Sequence, residues 1–227
     1  RERNKGEVQI CGSLEEKEYY NNHVIPLFNN FFKLDIRSKI FSSRTYGFVC
    51  YNKIIRDILL EAGFPSGKKS NSVKVPKEIL ESGNKILFCR FLRGIFDTDG
   101  NLSFRKSYGG TDKFKKRYNH YPIIKITTIS KYLAEGIIKL LHELDILFYY
   151  YIKDPKKQNR SRRYSIVING IKGLERWMRF VGTKNLVQYS RYLIWKKFGF
   201  CPTNTTYEQR KNILSGKLDP YSFYKGL

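Results

Sequence analysis

The sequence is poor in the residues that build metal clusters and disulfide frameworks. Its four cysteines and three histidines are scattered along 227 residues. Zinc ligands and disulfide cysteines recur at characteristic spacings, so this distribution argues against both kinds of site and gives little support to a Ser-His-Asp hydrolase. We interpret the cysteines as free thiols, three of them inside apolar runs, and expect a cytoplasmic or other reducing compartment.

Long apolar runs and acidic residues are also scarce. No segment has the pattern of a signal peptide or a membrane-spanning helix, so we expect no membrane partner. The 43 Lys and Arg residues outnumber the 20 Asp and Glu residues, which gives a net charge of +23 and a pI near 9.9. Such an excess predicts a polyanionic partner, with nucleic acid first. Neither the charge nor the 15% aromatic content separates DNA from RNA.

An apolar helix that ends in two aspartates is the most informative segment. Apolar residues recur at three- and four-residue steps over 86–96. Gly94 lies inside this helix, where glycine costs about 1 kcal/mol relative to alanine, and we therefore expect a second backbone to pack closely there. Asp97 and Asp99 precede Gly100 at the negative end of the helix dipole, where a divalent cation would compensate their charge. A polar turn without a ligand is the alternative.

The segment Leu92-Arg93-Gly94-Ile95-Phe96-Asp97-Thr98-Asp99-Gly100 resembles the signature helix of the LAGLIDADG homing endonucleases. Arg93 and Thr98 stand where the family name has alanine, and Phe96 stands where it has isoleucine. The resemblance implies that Asp99 is a catalytic residue and a metal ligand, that Gly100 also belongs to the metal site, and that Asp97 caps or positions. It implies two or three Mg²⁺ ions shared with an acid of another copy of the motif. Mg²⁺ prefers oxygen ligands and keeps several waters, so few protein ligands suffice.

The chain repeats itself with a period of about 115 residues, which is too long for a solenoid repeat. Residues 46–49 align with residues 164–167, and the loop 67–69 aligns with the loop 182–184. Lys69 and Lys184 occupy these equivalent loops, where the family places basic residues that polarise water. A lysine that only contacts phosphate is the alternative reading of each.

The repeat predicts an α+β fold of two pseudo-symmetric α-β-β-α-β-β-α halves, and the resemblance implies that their antiparallel sheets form a DNA-binding saddle. We expect a first repeat over residues 1–84, a second repeat with the signature helix over 85–200, and a tail over 201–227 that packs on the core. The alignment places the first half's own signature helix just upstream of residue 1; loss of that motif is the alternative. Further predictions are a strand over 34–41 and helices over 186–198 and 207–214.

The first long helix has a clear start. Ser13 and Glu16 form a capping box. Its apolar face is predicted to contain Tyr19, Tyr20, Val24, Leu27, Phe28 and Phe31.

Polar and basic side chains line the predicted strands. An antiparallel ribbon fits the DNA major groove, where its side chains can reach base edges while loop cations hold phosphates. The candidate DNA-binding residues are Gln9, Arg37, Lys39, Arg44, Arg105, Lys106, Lys115, Lys116, Arg117, Lys125, Lys153, Arg160, Arg162 and Arg163.

Taken with the resemblance, these features predict a metal-dependent endonuclease that cuts double-stranded DNA at a long site and is associated with an intron or an intein. We expect a monomer when the protein is complete. The alternative is a catalytically inactive, maturase-like protein that binds RNA or DNA.

Overall fold

The computed structural model describes residues 6–42, 44–64, 71–106, 117–155 and 161–224. Helices and two antiparallel sheets form the fold, which confirms the predicted α+β class. Within the described ranges, no helix is both long and apolar enough to cross a membrane. The strands are β1 (Glu7–Ser13), β2 (Lys39–Ser42), β3 (Thr45–Tyr51), β4 (Gly100–Arg105), β5 (Tyr121–Thr128), β6 (Tyr149–Lys153) and β7 (Arg163–Asn169). The helices are α1 (Lys17–Tyr19), α2 (Ile25–Phe32), α3 (Lys53–Glu61), α4 (Lys77–Leu80), α5 (Lys85–Asp99), α6 (Lys131–Glu143), α7 (Gly170–Phe180), α8 (Leu186–Phe198) and α9 (Tyr207–Leu214).

The two sheets have a common plan. The first has the strand order β1-β3-β2, and the second has the order β4-β5-β7-β6. In the first sheet, β1 is followed by a helical segment and then by the hairpin β2–β3, and β3 pairs with β1. In the second sheet, β5 is followed by α6 and then by the hairpin β6–β7, and β7 pairs with β5. This shared topology is the one that an internal duplication requires. The second sheet gains β4, which follows α5 directly and pairs with β5.

The first long helix contains an irregular turn that changes which side chains it buries. A 3-10 turn over Leu14–Glu16 leads through α1 into a π-helical turn over Tyr20–Val24 and then into α2. The Ser13 and Glu16 capping box is present, as predicted. A π turn adds a residue to the helical repeat, so the apolar stripe after it advances by one position.

The predicted apolar face is therefore wrong at Leu27 and Phe31, which are 60% and 74% exposed. Phe28 is buried as predicted, Ile25 is buried although it was not predicted, and Phe32 packs partly against them.

The strand predicted over 34–41 is shorter in the structure, where β2 begins at Lys39. Lys33 ends α2 in the left-handed conformation. The Asn29 side chain then accepts a hydrogen bond from Ile36 N at 2.9 Å and donates one to Ile36 O at 3.0 Å. These contacts replace the ladder partners that a strand would supply.

Each sheet has its own hydrophobic core. The larger core lies between the second sheet and helices α5 to α8, and the smaller one lies between the first sheet and α2 and α3. Val75 is buried in the larger core, and Ile79 and Leu80 pack against it. Residues near 75–80, placed in the first repeat by sequence, thus pack with the second half, and the boundary at residue 84 stays a prediction.

The tail packs on α8. Ile213 enters the larger core, and the fully buried Arg210 donates from Nε to Ser190 Oγ at 2.9 Å and from NH1 to the Thr205 carbonyl. Burial lowers the pKa of Arg210 to about 10. The tail also reaches the first half, because Lys211 Nζ lies 3.1 Å from Glu18 Oε1 and the Tyr207 hydroxyl donates to Glu18 Oε2 at 2.9 Å.

Candidate active site and nucleic-acid interface

Helix α5 runs through the larger core and ends at the two aspartates. Its side chains Phe88, Leu92 and Phe96 are buried in the larger core. At Gly100 the chain changes directly from helix to strand, and a Cβ there would lie 2.3 Å from the Phe96 ring. Only glycine fits this turn, which fixes the aspartates at the junction of α5 and β4.

Asp97 is buried and serves as a structural acceptor. Its carboxylate accepts hydrogen bonds from the Thr183 hydroxyl and from Lys184 N, the latter at 3.0 Å. Burial raises its pKa, whereas the bonds from Thr183 and from the Lys184 and Asn185 backbone oppose that shift. The capping or positioning role expected of Asp97 therefore has a geometric basis, since it holds the loop that precedes α8.

Asn185 joins three parts of the molecule. It is fully buried and caps α8 through a bond from Val187 N to Asn185 Oδ1 at 3.0 Å. Its Nδ2 donates to the Asp97 carbonyl at 2.8 Å and to Glu16 Oε1 at 2.7 Å. The end of α5, the start of α8 and the first half of the chain therefore meet at one amide.

Asp99 lies two residues after Asp97 but in a different environment. It is exposed, and the Thr98 hydroxyl lies 3.3 Å from its Oδ2. The neighbouring Gly100 carbonyl accepts from Gln188 Nε2 at 3.2 Å, and Leu102 N donates to Gln188 Oε1 at 2.9 Å. Gln188 on α8 thus fixes the backbone beside Asp99 while leaving its carboxylate accessible.

Two residues near the aspartates, Tyr20 and His23, were missed as site residues by sequence reasoning. The pKa of Tyr20 is raised by burial first and then by the charges of Glu16, Cys11 and Asp99. His23 is half-buried, and its pKa is lowered by burial, against the charge of Asp97. The π turn at Tyr20–Val24 brings this segment to the end of α5; such turns often mark functional sites, but the residue pattern gives no sign of one here.

Of the two candidate catalytic lysines, only Lys184 lies within the described residues. Lys184 is exposed, and only its backbone is held, by Asp97. Lys69 lies outside the described residues, so the predicted equivalence of the two loops stays a prediction.

The donor set fits a hard divalent cation only in part. Asp99 offers an accessible carboxylate, and the Gly100 carbonyl has one lone pair besides the one that faces Gln188. In the part of the chain that the structure describes, no group of three or more His, Cys, Asp or Glu side chains could hold a metal ion. A cation bound at Asp99 would therefore keep most of its waters or take a further acid.

Gly94 lies on the exposed side of α5. A Cβ at this position would meet nothing within 4 Å among the described atoms. The neighbouring Leu87 is 38% exposed on the same helix. The close approach of a second backbone is thus not made by the described chain and stays a prediction.

Several predicted contact residues lie on the open faces of the sheets. In the first sheet, Gly47 of β3 is the register partner of both Lys39 in β2 and Cys11 in β1. The exposed Gln9 lies two residues before Cys11 in β1. Register partners share a face, as do residues two apart in a strand, so Gln9 and Lys39 lie on the same face.

The open face of the second sheet combines cations with tyrosines. Lys125 Nζ lies 5.4 Å from the Tyr151 ring centre, and the Arg105 guanidinium lies 5.1 Å from that of Tyr121. A hydrogen bond from Lys125 lowers the pKa of Tyr151. Tyrosines can stack on bases or ribose, and the DNA-binding residues predicted from sequence include no aromatic side chain.

One cross-strand pair on this face consists of two cations. Lys153 of β6 is the register partner of Arg163 of β7, and both are exposed. Like charges directly opposite each other are unfavourable, so this pair favours an anion between or above the two side chains.

Two of the remaining candidate DNA-binding residues have partners within the chain, three lie outside the strands, and three lie outside the described residues. Arg162 forms an ion pair with Asp154 at 2.6 Å, and Arg117 donates to the Tyr224 carbonyl at 2.9 Å. Arg37 and Arg44 are exposed and Lys106 is half-buried, all three outside the strands. Lys115, Lys116 and Arg160 lie outside the described residues.

Residues 89–182 match the family model for a LAGLIDADG-like domain. A segment of 125 residues, 55% of this chain, is 29% identical to the probable translation initiation factor IF-2 of Methanocaldococcus jannaschii. A segment of 131 residues is 26% identical to the protein of the same name from Thermococcus kodakarensis. Each match spans 9% of the length of that curated relative.

Solved structures of the meganuclease I-SmaMI have a similar fold. Its K262A mutant is 10% identical to this chain and has a TM-score of 0.52, and the match covers 97% of this chain and 87% of that one. The complex of I-SmaMI with uncleavable DNA that has a TTCT central four has a TM-score of 0.51 over the same shares. At this identity the likeness shows a shared fold.

Proposed function

This chain carries a LAGLIDADG-like domain within a homing endonuclease fold, and from that premise we propose that it is a site-specific endonuclease that hydrolyses phosphodiester bonds of double-stranded DNA. The observation that carries the proposal is the division between two aspartates at the end of α5. Asp97 is buried and holds the loop before α8, whereas Asp99 is exposed at a glycine turn that Gln188 fixes. In this proposal the Asp97 carboxylate positions the loop before α8, and the Asp99 carboxylate takes part in the reaction.

The chain's own residues suit each part of that task. A Mg²⁺ ion held by Asp99 and the Gly100 carbonyl would supply positive charge at the phosphoryl oxygens. Lys184, whose backbone is fixed by Asp97, would orient water or steady the developing negative charge. The cations and tyrosines on the sheet faces would hold the duplex across the site.

The test is cleavage of a randomised duplex library by the chain, with Mg²⁺ and with a chelator. Asp99→Asn should lower cleavage by at least about a hundredfold and leave duplex affinity unchanged, because the side chain is exposed and makes no contact with the core. Glu143→Gln removes one carboxylate from the exposed side of α6 and is the matched control. A fully active Asp99→Asn protein would remove the assignment.

The second candidate is a nucleic-acid-binding protein without cleavage. It is favoured by the lack of a multi-acid cluster in the described part of the chain. Tight duplex binding with no cleavage in any divalent metal would support this candidate, as would preference for a structured RNA.

We also propose an intein as the genetic context. A match confined to 9% of two translation factors is expected if an endonuclease segment is inserted in a host of another function. The translation role itself does not transfer to this chain. Sequencing the flanking gene tests the proposal, because an intein lies within the uninterrupted reading frame of a host protein, whereas an intron-encoded enzyme does not.

A further inference from the structure

A basic groove lies between α5 and α7, away from the aspartates. It has a volume of about 570 Å³ and contains one carboxylate, Asp145, among five cations. We call it the α5–α7 groove, and it is lined by Lys85, Ile86, Cys89, Arg90, Arg93, Leu144, Asp145, Arg176, Arg179 and Phe180.

The groove is separate from the proposed cleavage site. Lys85, Ile86, Cys89 and Arg90 lie in the first half of α5, and at about 1.5 Å per residue the start of the helix is roughly 20 Å from Asp99. Arg93 lies past the middle of the helix, at the end of the groove nearer the aspartates. It also lies in the helical layer of the second half, because α5 and α7 both contact β5. Ile124 and Ile126 of β5 point into the core under these helices, whereas Lys125 points to the open face of the sheet. A duplex on the open face would not reach the groove.

Only some of these cations are used by the fold. Arg93 donates from Nε to the Val181 carbonyl at 2.5 Å, and Arg176 donates from NH2 to the Leu144 carbonyl at 2.9 Å. Arg176 Nε is buried with no hydrogen-bond partner. Arg90 and Arg179 are exposed, and so is Lys85. Packed cations with so little compensating negative charge favour an anionic ligand.

The groove also offers an apolar surface beside its cations. Phe180 is 42% exposed, and both Arg176 and Arg179 hold their guanidinium groups within 5.5 Å of its ring centre. Ile86 is 63% exposed on the opposite wall. Phe180, Arg176 and Arg179 also border a second hollow on α7, where Lys172 and Glu175 join them.

We propose that the α5–α7 groove binds an unpaired nucleic-acid strand. Sites for single strands combine a positively charged groove that follows the phosphates with aromatic rings on which bases stack, and this groove has both. A hollow within the range of about 300–1,000 Å³ that small-ligand sites occupy admits a nucleotide unit but not a base-paired duplex. RNA and single-stranded DNA offer the same phosphates and base faces, so either could supply the strand.

The test measures the affinity of the full chain for labelled oligo(U) and oligo(dT), each of roughly 20 nucleotides, by fluorescence anisotropy across a range of salt concentrations. Arg90→Gln with Arg179→Gln should weaken binding of the unpaired strands about tenfold and make the salt dependence shallower by about one to two units of slope. Phe180→Ala should weaken it about fivefold or more without changing the slope.

Lys139→Gln with Lys196→Gln is the matched control, because it removes the same charge from exposed positions on α6 and α8. It should change the affinity by less than about twofold, and duplex affinity should be unchanged in every variant. Loss confined to oligo(U) or to oligo(dT) would support the groove and identify the strand. Equal weakening by the control pair, or equal weakening of duplex binding, would overturn the proposal. Duplex cleavage is measured separately, so its failure would leave this result standing.

Discussion

At the scale of single residues, burial decides what each acid does. Asp97 and Asp99 are two positions apart on one helix, yet one is 3% exposed and accepts from two loop donors while the other faces solvent. The same chemical group therefore serves as a structural acceptor in one case and is available for chemistry in the other.

Asp97→Ala should destabilise the protein by about 1–3 kcal/mol, because it leaves Thr183 and Lys184 N as buried donors without an acceptor. Asp97→Asn should cost less, since its amide oxygen can still accept. Urea denaturation of the three proteins measures the difference. Equal stability of Asp97→Ala and the parent chain would show that water replaces the carboxylate.

The pH dependence of Asp97 has a defined sign. Its pKa is raised above the ordinary 3.8, so the folded chain binds the proton more tightly than the unfolded chain does. The contribution of Asp97 to stability is therefore greatest below 3.8 and declines as pH rises through the raised pKa. The stability of the parent chain relative to Asp97→Asn should fall over that window. A relative stability that rises with pH would contradict the sign.

Lys184→Met tests whether this lysine serves the reaction or only binds phosphate. If it acts on water or on the developing charge, single-turnover cleavage should slow by about a hundredfold while duplex affinity stays nearly constant. Lys196→Met is the control at an exposed position of α8. Reduced affinity with normal cleavage of bound DNA would make Lys184 a phosphate contact.

At the scale of elements, α5 is the helix with two unlike sides. One side is sealed in the larger core through Phe88, Leu92 and Phe96, and the other exposes Leu87 and Gly94. A glycine that nothing contacts weakens a helix without improving its packing.

Gly94→Ala should therefore raise the stability of the chain by up to about 1 kcal/mol, because alanine is the better helix former and its methyl group meets no described atom. Thermal unfolding measures the change. A lower melting temperature would instead reveal a second backbone packed at this glycine, as the sequence predicts. Cleavage by the same variant shows whether such packing serves the reaction.

At the scale of the whole molecule, polar contacts join two separate cores. Asn185 bonds to Glu16, and Glu18 receives both Lys211 and Tyr207 from the tail. Among the residues that the structure describes, the two cores share no buried side chain. The relative placement of the halves therefore depends on a few hydrogen bonds and ion pairs.

Asn185→Ala should loosen the smaller core before the larger one. It removes the cap of α8, worth about 1 kcal/mol, together with the bond to Glu16. Hydrogen exchange should become faster in β1 and β3 than in β5 and β7. Asn84→Ala, which removes the cap of α5 but touches no contact between the halves, is the control. Uniform acceleration in both sheets would show that the halves unfold as one unit.

The sequence by itself determined the class of fold, the signature helix and the positions of α8 and α9. These features follow from local signals: apolar periodicity, capping residues and a glycine stop act over a few residues and survive in any fold that contains them. The bounds 186–198 and 207–214 were confirmed for that reason. The net charge of +23 also follows from the composition alone.

Only the tertiary structure decided which partners surround Asp97 and leave Asp99 exposed, the rotation of the first helix at its π turn and the groove between α5 and α7. Each depends on residues distant in sequence. Thr183 lies 86 residues from the aspartate that it contacts, and Arg176 and Arg90 come from different helices of one groove. A local pattern carries no information about such partners, because desolvation and hydrogen bonding are set by what the folded chain brings together.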